Sequence, residues 1–426
     1  MRPSALAVAA FSLGALWLAA ACAPTARFGA TPATDLLGGP TAEATAVTGP
    51  TETPGFTPAP GSGLSCRDPF GGNEIAFSLA GWAETDFCRT GVDFGEIVSG
   101  GQPRDGIPPI DAPVYESADS ASAWVESGWP VLVIVVSERA LAFPLPILLW
   151  HEVVNTELDG ELMTVTYSAM SGSGRTFAGR DLSGGPLDFG TTGNLRFGNS
   201  ILYDRPSGSW WQQLSGEAIV GEQTGTSLEA LPSQLLAWPD FIAEYPEGQV
   251  LSRETGTVRG YGTSPYAGME DSADLPGLLR AFVVGEVDNR LRPMDRVTGI
   301  GGDGAHVAYP FRALSTARVV NDEVGGQSLV IFWQAGVRSL TDSARVAESR
   351  DVGSSGVYSR DLAGQVLTFE WTEGGIRDQE TGSTWGLTGR AIAGPLRGER
   401  LIRLDSVEAF WFAWSALFPG TEIWGP

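Results

Sequence analysis

Apolar and polar positions alternate along this chain in short runs, broken by Gly, Pro, Asn and Asp. VLVIVVS, LMTVTYS, LVIFWQ and LTFEWT are rich in β-branched and aromatic residues, which predicts strands. Residues 233–245 and 406–417 break the rule: Leu235, Trp238, Phe241 and Ile242 recur at helical spacing, and both stretches stop before a proline. Those two are expected as helices with an aromatic core face. The fold class expected is mostly β, a β-rich α+β protein.

The most informative stretch is residues 142–171, AFPLPILLWHEVVNTELDGELMTVTYSAMS. Asp159-Gly160 lies between two strand-like runs, and this dipeptide favours a two-residue turn with both residues at positive φ. The implied register sets Val153 opposite Thr166 and His151 opposite Ser168, with directly paired Cβ atoms roughly 4.5–5.5 Å apart. On a strand, His151 would share a face with Leu149 and Val153.

The pattern of this stretch returns later. Ala142-Phe143-Pro144-Leu145 matches Ala308-Tyr309-Pro310-Phe311, and Val153-Val154-Asn155 matches Val319-Val320-Asn321. Asp159-Gly160 matches Gly325-Gly326, and Asp204, Gly208, Ser209 and Trp211 match Asp378, Gly382, Ser383 and Trp385. Order and spacing hold over whole units, so the expectation is two tandem copies of one β-rich unit packed as a pseudo-symmetric double domain. The boundaries that follow are 106–262 for the first copy and 263–426 for the second, after a segment at 64–105.

The first 22 residues carry Arg2, the apolar run AFSLGALWLAA and small residues before Cys22, the marks of a secretory signal. Ala19-Ala20-Ala21-Cys22 reads as a lipobox, with Cys22 the lipidated residue; plain cleavage after Ala21 is the alternative. Residues 23–63, rich in Thr, Pro, Ala and Gly, lack the apolar side chains for a core and read as a tether. The expected location is therefore the outer face of a cell membrane, or the periplasm or exterior if the lipobox is not used. Cys66 and Cys88 then remain as an even pair in an exported chain and are expected as a disulfide. Formal charge is −23, and every basic residue is arginine. A basic footprint is missing, which excludes nucleic acid as an expected partner. The membrane is expected to be met through the lipid anchor alone.

AFPLPILLWHEVVN, then VTY, then DRPSGSWWQQLSGEAIVG resembles the bacterial family known as domain of unknown function 3179, over residues 100–426. Typical members read VTYCPLC where this chain has Val165-Thr166-Tyr167-Ser168-Ala169-Met170-Ser171. Two thiolates beside an imidazole would suit copper, zinc or dithiol redox chemistry, whereas two hydroxyls suit none of them. The resemblance thus implies a site that has lost its metal and thiol chemistry here, with His151 and Glu152 kept.

The candidate ligand-binding residues are His151, Glu152, Ser168, Ser171, Trp210 and Gln213. Trp210 and Trp211 cannot both face inward on a regular strand; Trp211 has a counterpart in Trp385 and reads as core, Trp210 as the contact residue. A metal alternative pairs His151 with Met170, whose imidazole and thioether suit copper(I). The bland alternative is a core histidine satisfied by its neighbours. A Ser168–His151 nucleophilic pair lacks a placed third member and a strained G-x-S-x-G turn. No catalytic residue and no cofactor is assigned. The function expected is non-enzymatic binding of a small molecule or protein outside the cytoplasm; the alternative is a copper-, zinc- or thiol-linked role.

Overall fold

The computed structural model describes residues 68–181, 183–302 and 304–425. Cys22, Cys66, the lipobox and the tether lie outside them. Strand accounts for 39% of the described residues against 12% helix, so the mostly-β expectation holds. Among the described residues no helix is long and apolar enough to cross a membrane.

The 159–160 turn forms as its chemistry requires, with Asp159 at φ 54° and Gly160 at φ 87°. Strands Val153–Leu158 and Glu161–Ser168 pair Val153 with Thr166 and Leu158 with Glu161, the register the turn predicts. Ser173–Ala178 adds a third strand, with Ser168 opposite Ser173. Side chains alternate across a strand. Met163, Val165 and Tyr167 therefore enter the main apolar core, while Thr164, Thr166 and Ser168 form a second buried face that is polar. Asn199, from a five-stranded sheet, and Gln213, one residue past a strand of that sheet, reach that polar face. Its strands run in the order Ile97–Ser99, Phe189–Arg196, Asn199–Asp204, Trp210–Gln212, Ala218–Val220.

Three helices depart from the sequence expectation. Leu145–His151 is helical, not extended: Pro144 caps it, Pro146 sits in its first turn, and Leu145, Ile147, Leu148 and Leu149 are all buried. Proline suits a first turn because that amide lacks an intrahelical partner anyway. Residues 233–245 divide into the strand Ser233–Ala237 and the helix Trp238–Glu244. Residues 406–417 divide likewise into Val407–Phe410 and Trp411–Leu417. In both, the aromatic helix face is core, as its spacing implies: Trp238, Phe241, Trp411 and Trp414 are buried.

The element order of strands Pro130–Val136 and Arg139–Pro144, helix Leu145–His151 and a three-stranded sheet recurs. It returns as Arg296–Gly302, Ala305–Pro310, Phe311–Ala317 and the sheet Val319–Val324, Gln327–Gln334, Ser354–Ser359. Both helices end on a non-glycine residue at positive φ, Glu152 (57°) and Arg318 (63°). Asp204 accepts the Trp211 indole N–H at 2.8 Å, and Asp378 accepts that of Trp385 at 2.9 Å. One apolar cluster nevertheless joins Leu148 and Val165 to Phe332, Tyr358 and Trp385. The two stretches share a core.

Candidate functional site

His151 ends its helix and is 1% exposed. Its Nδ1 lies 2.7 Å from the Pro108 carbonyl, and its Nε2 lies 2.7 Å from the Tyr261 hydroxyl. A carbonyl only accepts, so Nδ1 carries the proton and Nε2 of the neutral ring accepts from Tyr261. Tyr261 in turn accepts from Thr255, at 2.6 Å. Burial lowers the imidazole pKa, and the Arg259 charge acts in the same direction. Two sequence expectations fail here. His151 does not pair with Ser168, because it ends a helix and the strand starts only at Val153, and its two ring nitrogens are both taken, by the Pro108 carbonyl and the Tyr261 hydroxyl, so neither is left for a metal. Met170 packs with Met269 and Phe412 and borders a cavity that His151 does not line.

The serines at the two family cysteine positions are fully buried. Ser168 accepts from the Ser200 N–H (3.2 Å) and hydroxyl (3.0 Å). Ser171 accepts from Asn199 Nδ2 at 2.9 Å and lies 2.8 Å from the Ser173 hydroxyl. Gln213 closes this network. Its amide nitrogen donates to Thr166 (2.9 Å) and the Ser173 carbonyl (3.2 Å); its oxygen accepts from Ser173 and Asn199, both at 2.8 Å. A buried polar network whose members are all paired fixes geometry. Ser168, Ser171 and Gln213 thus act as a frame, and none of them lines the cavity.

What the frame holds in place is Ser200, and Ser200 lines a cavity of about 400 Å³ together with Glu152, Met170, Asn194, Tyr266 and Trp150. Leu149 and Phe282 add apolar wall, and the exposed Arg259 borders it. Glu152 enters because the helix ends there: at φ 57° its N–H closes on the Leu148 carbonyl (2.7 Å) and its own carbonyl takes the Tyr167 N–H (2.8 Å). Burial pushes the Glu152 carboxyl up to about 7, against the pull of its Ser200 hydrogen bond. Burial likewise raises the Tyr266 phenol, which stays protonated. The wall therefore offers one carboxyl that is half-ionised near neutrality, a phenol, a hydroxyl and an amide around an apolar floor.

Of the residues expected from sequence, Glu152 and Met170 line this cavity. Trp210 does not. It is fully buried, with Phe77, Trp82 and Phe87 at ring distances of 5.3, 5.1 and 5.3 Å. The sheet bulges between Trp210 and Trp211, and both of its faces are covered, so neighbouring indoles bury on opposite sides. Sequence reasoning missed Asn194, Asn199, Ser200 and Tyr266. The Phe197-Gly198 turn before Asn199, with φ of 53° and 70°, was the available signal for the first three. Among the described residues, no three His, Cys, Asp or Glu side chains are grouped to hold a metal.

A β-rich chain with a polar frame under a small mixed cavity defines a class of site but no reaction. The family described as "Protein of unknown function (DUF3179)" matches residues 104–421, and the chain belongs to that family. No curated protein and no solved structure matches it.

Proposed function

We propose that this protein is an exported, lipid-anchored binding protein that takes a small amphiphilic ligand in the cavity beside Glu152. One observation carries the reading: a carboxyl pushed up to about 7 borders a cavity of about 400 Å³ whose wall joins polar groups to apolar side chains in near-equal measure. Pockets of that size with few convergent polar groups are the usual form of small-molecule sites. A ligand with a hydrogen-bonding or cationic head would set the head at Glu152 and Ser200 and its body against Leu149, Trp150 and Phe282. The metal and thiol readings find no support in the side chains, since Ser168 and Ser171 spend their hydroxyls on Ser200, Ser173 and Asn199.

The duplicated element order and the paired Asp–Trp bonds support descent of the fold from two copies of one unit, with the site kept in the first copy only. Ala317 stands where the first copy has His151, and Gln334 where it has Ser168.

NMR titration of methionine-methyl-labelled protein with benzylamine, benzyl alcohol and toluene tests the binding claim. Benzylamine and benzyl alcohol are expected to bind and to shift the Met170 methyl resonance, with toluene weaker; no binding by any of the three contradicts the reading. Anchoring is tested separately in a bacterial host. Labelled palmitate is expected in the wild type and not in Cys22→Ala, and an unlabelled wild type removes the anchor from the proposal.

A further inference from the structure

A second cavity, of about 860 Å³, lies away from the first, bordered by Pro232, Tyr245, Tyr358, Leu401 and three arginines, Arg139, Arg400 and Arg403. Two of the three have carboxylate partners. Arg139 pairs with Asp159, and Arg400 lies 2.7 Å from Glu244, which also faces Arg390. Arg403 is different. Among the described residues no carboxylate pairs with it; its neighbours are neutral, the Gln234 amide and the Tyr358 and Tyr245 phenols. Its Nε is buried without any partner.

The position of this guanidinium is fixed. Arg403 Nη2 donates to Gln234 Oε1 at 2.7 Å, and Gln234 is itself held by the Ser355 and Leu387 carbonyls, each at 3.2 Å. The Tyr358 hydroxyl, with one proton to share, lies 2.8 Å from the Leu387 carbonyl and 3.0 Å from Gln234 Oε1, and its ring lies 5.7 Å from the guanidinium carbon. Burying a charge among neutral groups is costly, and the cost falls sharply when an opposite charge arrives in a hydrogen-bonded geometry. Guanidinium has that geometry for carboxylate, with parallel N–H donors matching the two oxygens. Glu138 and Glu247 on the rim are solvent-exposed, so water and salt screen their repulsion of an incoming anion.

We propose that this cavity is a binding site for a small organic carboxylate, its charge on Arg403 and its body between the Tyr245 and Tyr358 rings and Leu401. The site is independent of the Glu152 cavity and selects the opposite charge.

Calorimetric titration with benzoate, and with benzamide as its neutral isostere at equal ionic strength, provides the test. The wild type is expected to bind benzoate saturably and benzamide about tenfold more weakly or worse, as for loss of a hydrogen-bonded charge pair. Arg403→Gln is expected to lose benzoate binding by a similar factor, and Glu152→Gln to keep it. Equal binding of the two probes by the wild type overturns the proposal without reference to any variant, as does the absence of saturable benzoate binding. Unchanged benzoate affinity in Arg403→Gln also overturns it.

Discussion

Replacing Glu408 by Gln is expected to stabilise the folded chain at pH 8 by up to about 3 kcal/mol and to leave it nearly unchanged at pH 4. Burial pushes the Glu408 carboxyl up to about 7 from an ordinary 4.5, although the Ser355 N–H (2.8 Å) and the Arg296 charge both favour its ionised form. Arg296 is already committed to Glu270, which also accepts from Ser339 at 2.6 Å and from Thr341. One guanidinium thus serves two buried carboxyls, and Glu270 has the better claim. A group whose folded pKa is raised contributes stability that is complete below the unfolded pKa, here 4.5, and is lost as pH rises through about 7. Gln keeps the acceptor for Ser355 without a charge to bury. Denaturant unfolding at the two pH values measures the effect, and an equal change at both would show that Glu408 ionises freely. Glu152 carries a shift of the same sign, so the wild type should itself lose stability between those two pH values. His151, lowered by burial, works in the opposite direction and loses its contribution as pH falls.

Trp210→Ala is expected to cost about 3–5 kcal/mol, the range for truncating a large buried aromatic. Its indole is the centre on which Phe77, Trp82 and Phe87 converge, and Phe70 and Phe94 pack around them. These rings are the main apolar attachment of residues 70–94 to the five-stranded sheet. Hydrogen exchange should therefore accelerate in residues 70–94 and at Ala218–Val220 before it does so in the Val153–Ser168 hairpin. A loss below about 1 kcal/mol, as for an exposed contact residue, would return Trp210 to the role its sequence suggested.

The hairpin was legible because Asp159-Gly160 fixes a turn by local backbone chemistry, and the turn fixes every pairing after it. His151 was misplaced for a reason equally local. PILLW is a short apolar run buried on all sides, and periodicity cannot separate a buried strand from a buried helical turn. Pro144 and Pro146 held the answer, as a cap and a first-turn residue. In the 233–245 stretch, Leu235 matched the helical spacing of Trp238 and Phe241, although it sits on a strand that meets Leu132 in register. The cavity was the least legible feature. Glu152 could be named from its motif, but Asn194 and Ser200 come from a different sheet, and only the packing of that sheet on the polar face of the hairpin unites them.

The pH dependence of benzylamine binding tests the central claim most directly, because it asks whether Glu152 is both the contact and the titrating group. Wild-type affinity is expected to rise as pH passes through about 7, where the carboxylate forms and the ammonium persists. Glu152→Gln is expected to bind more weakly at pH 8 and to show no such rise. An affinity that does not change with pH in the wild type, or a rise that survives in Glu152→Gln, would contradict the assignment of this cavity as the binding site.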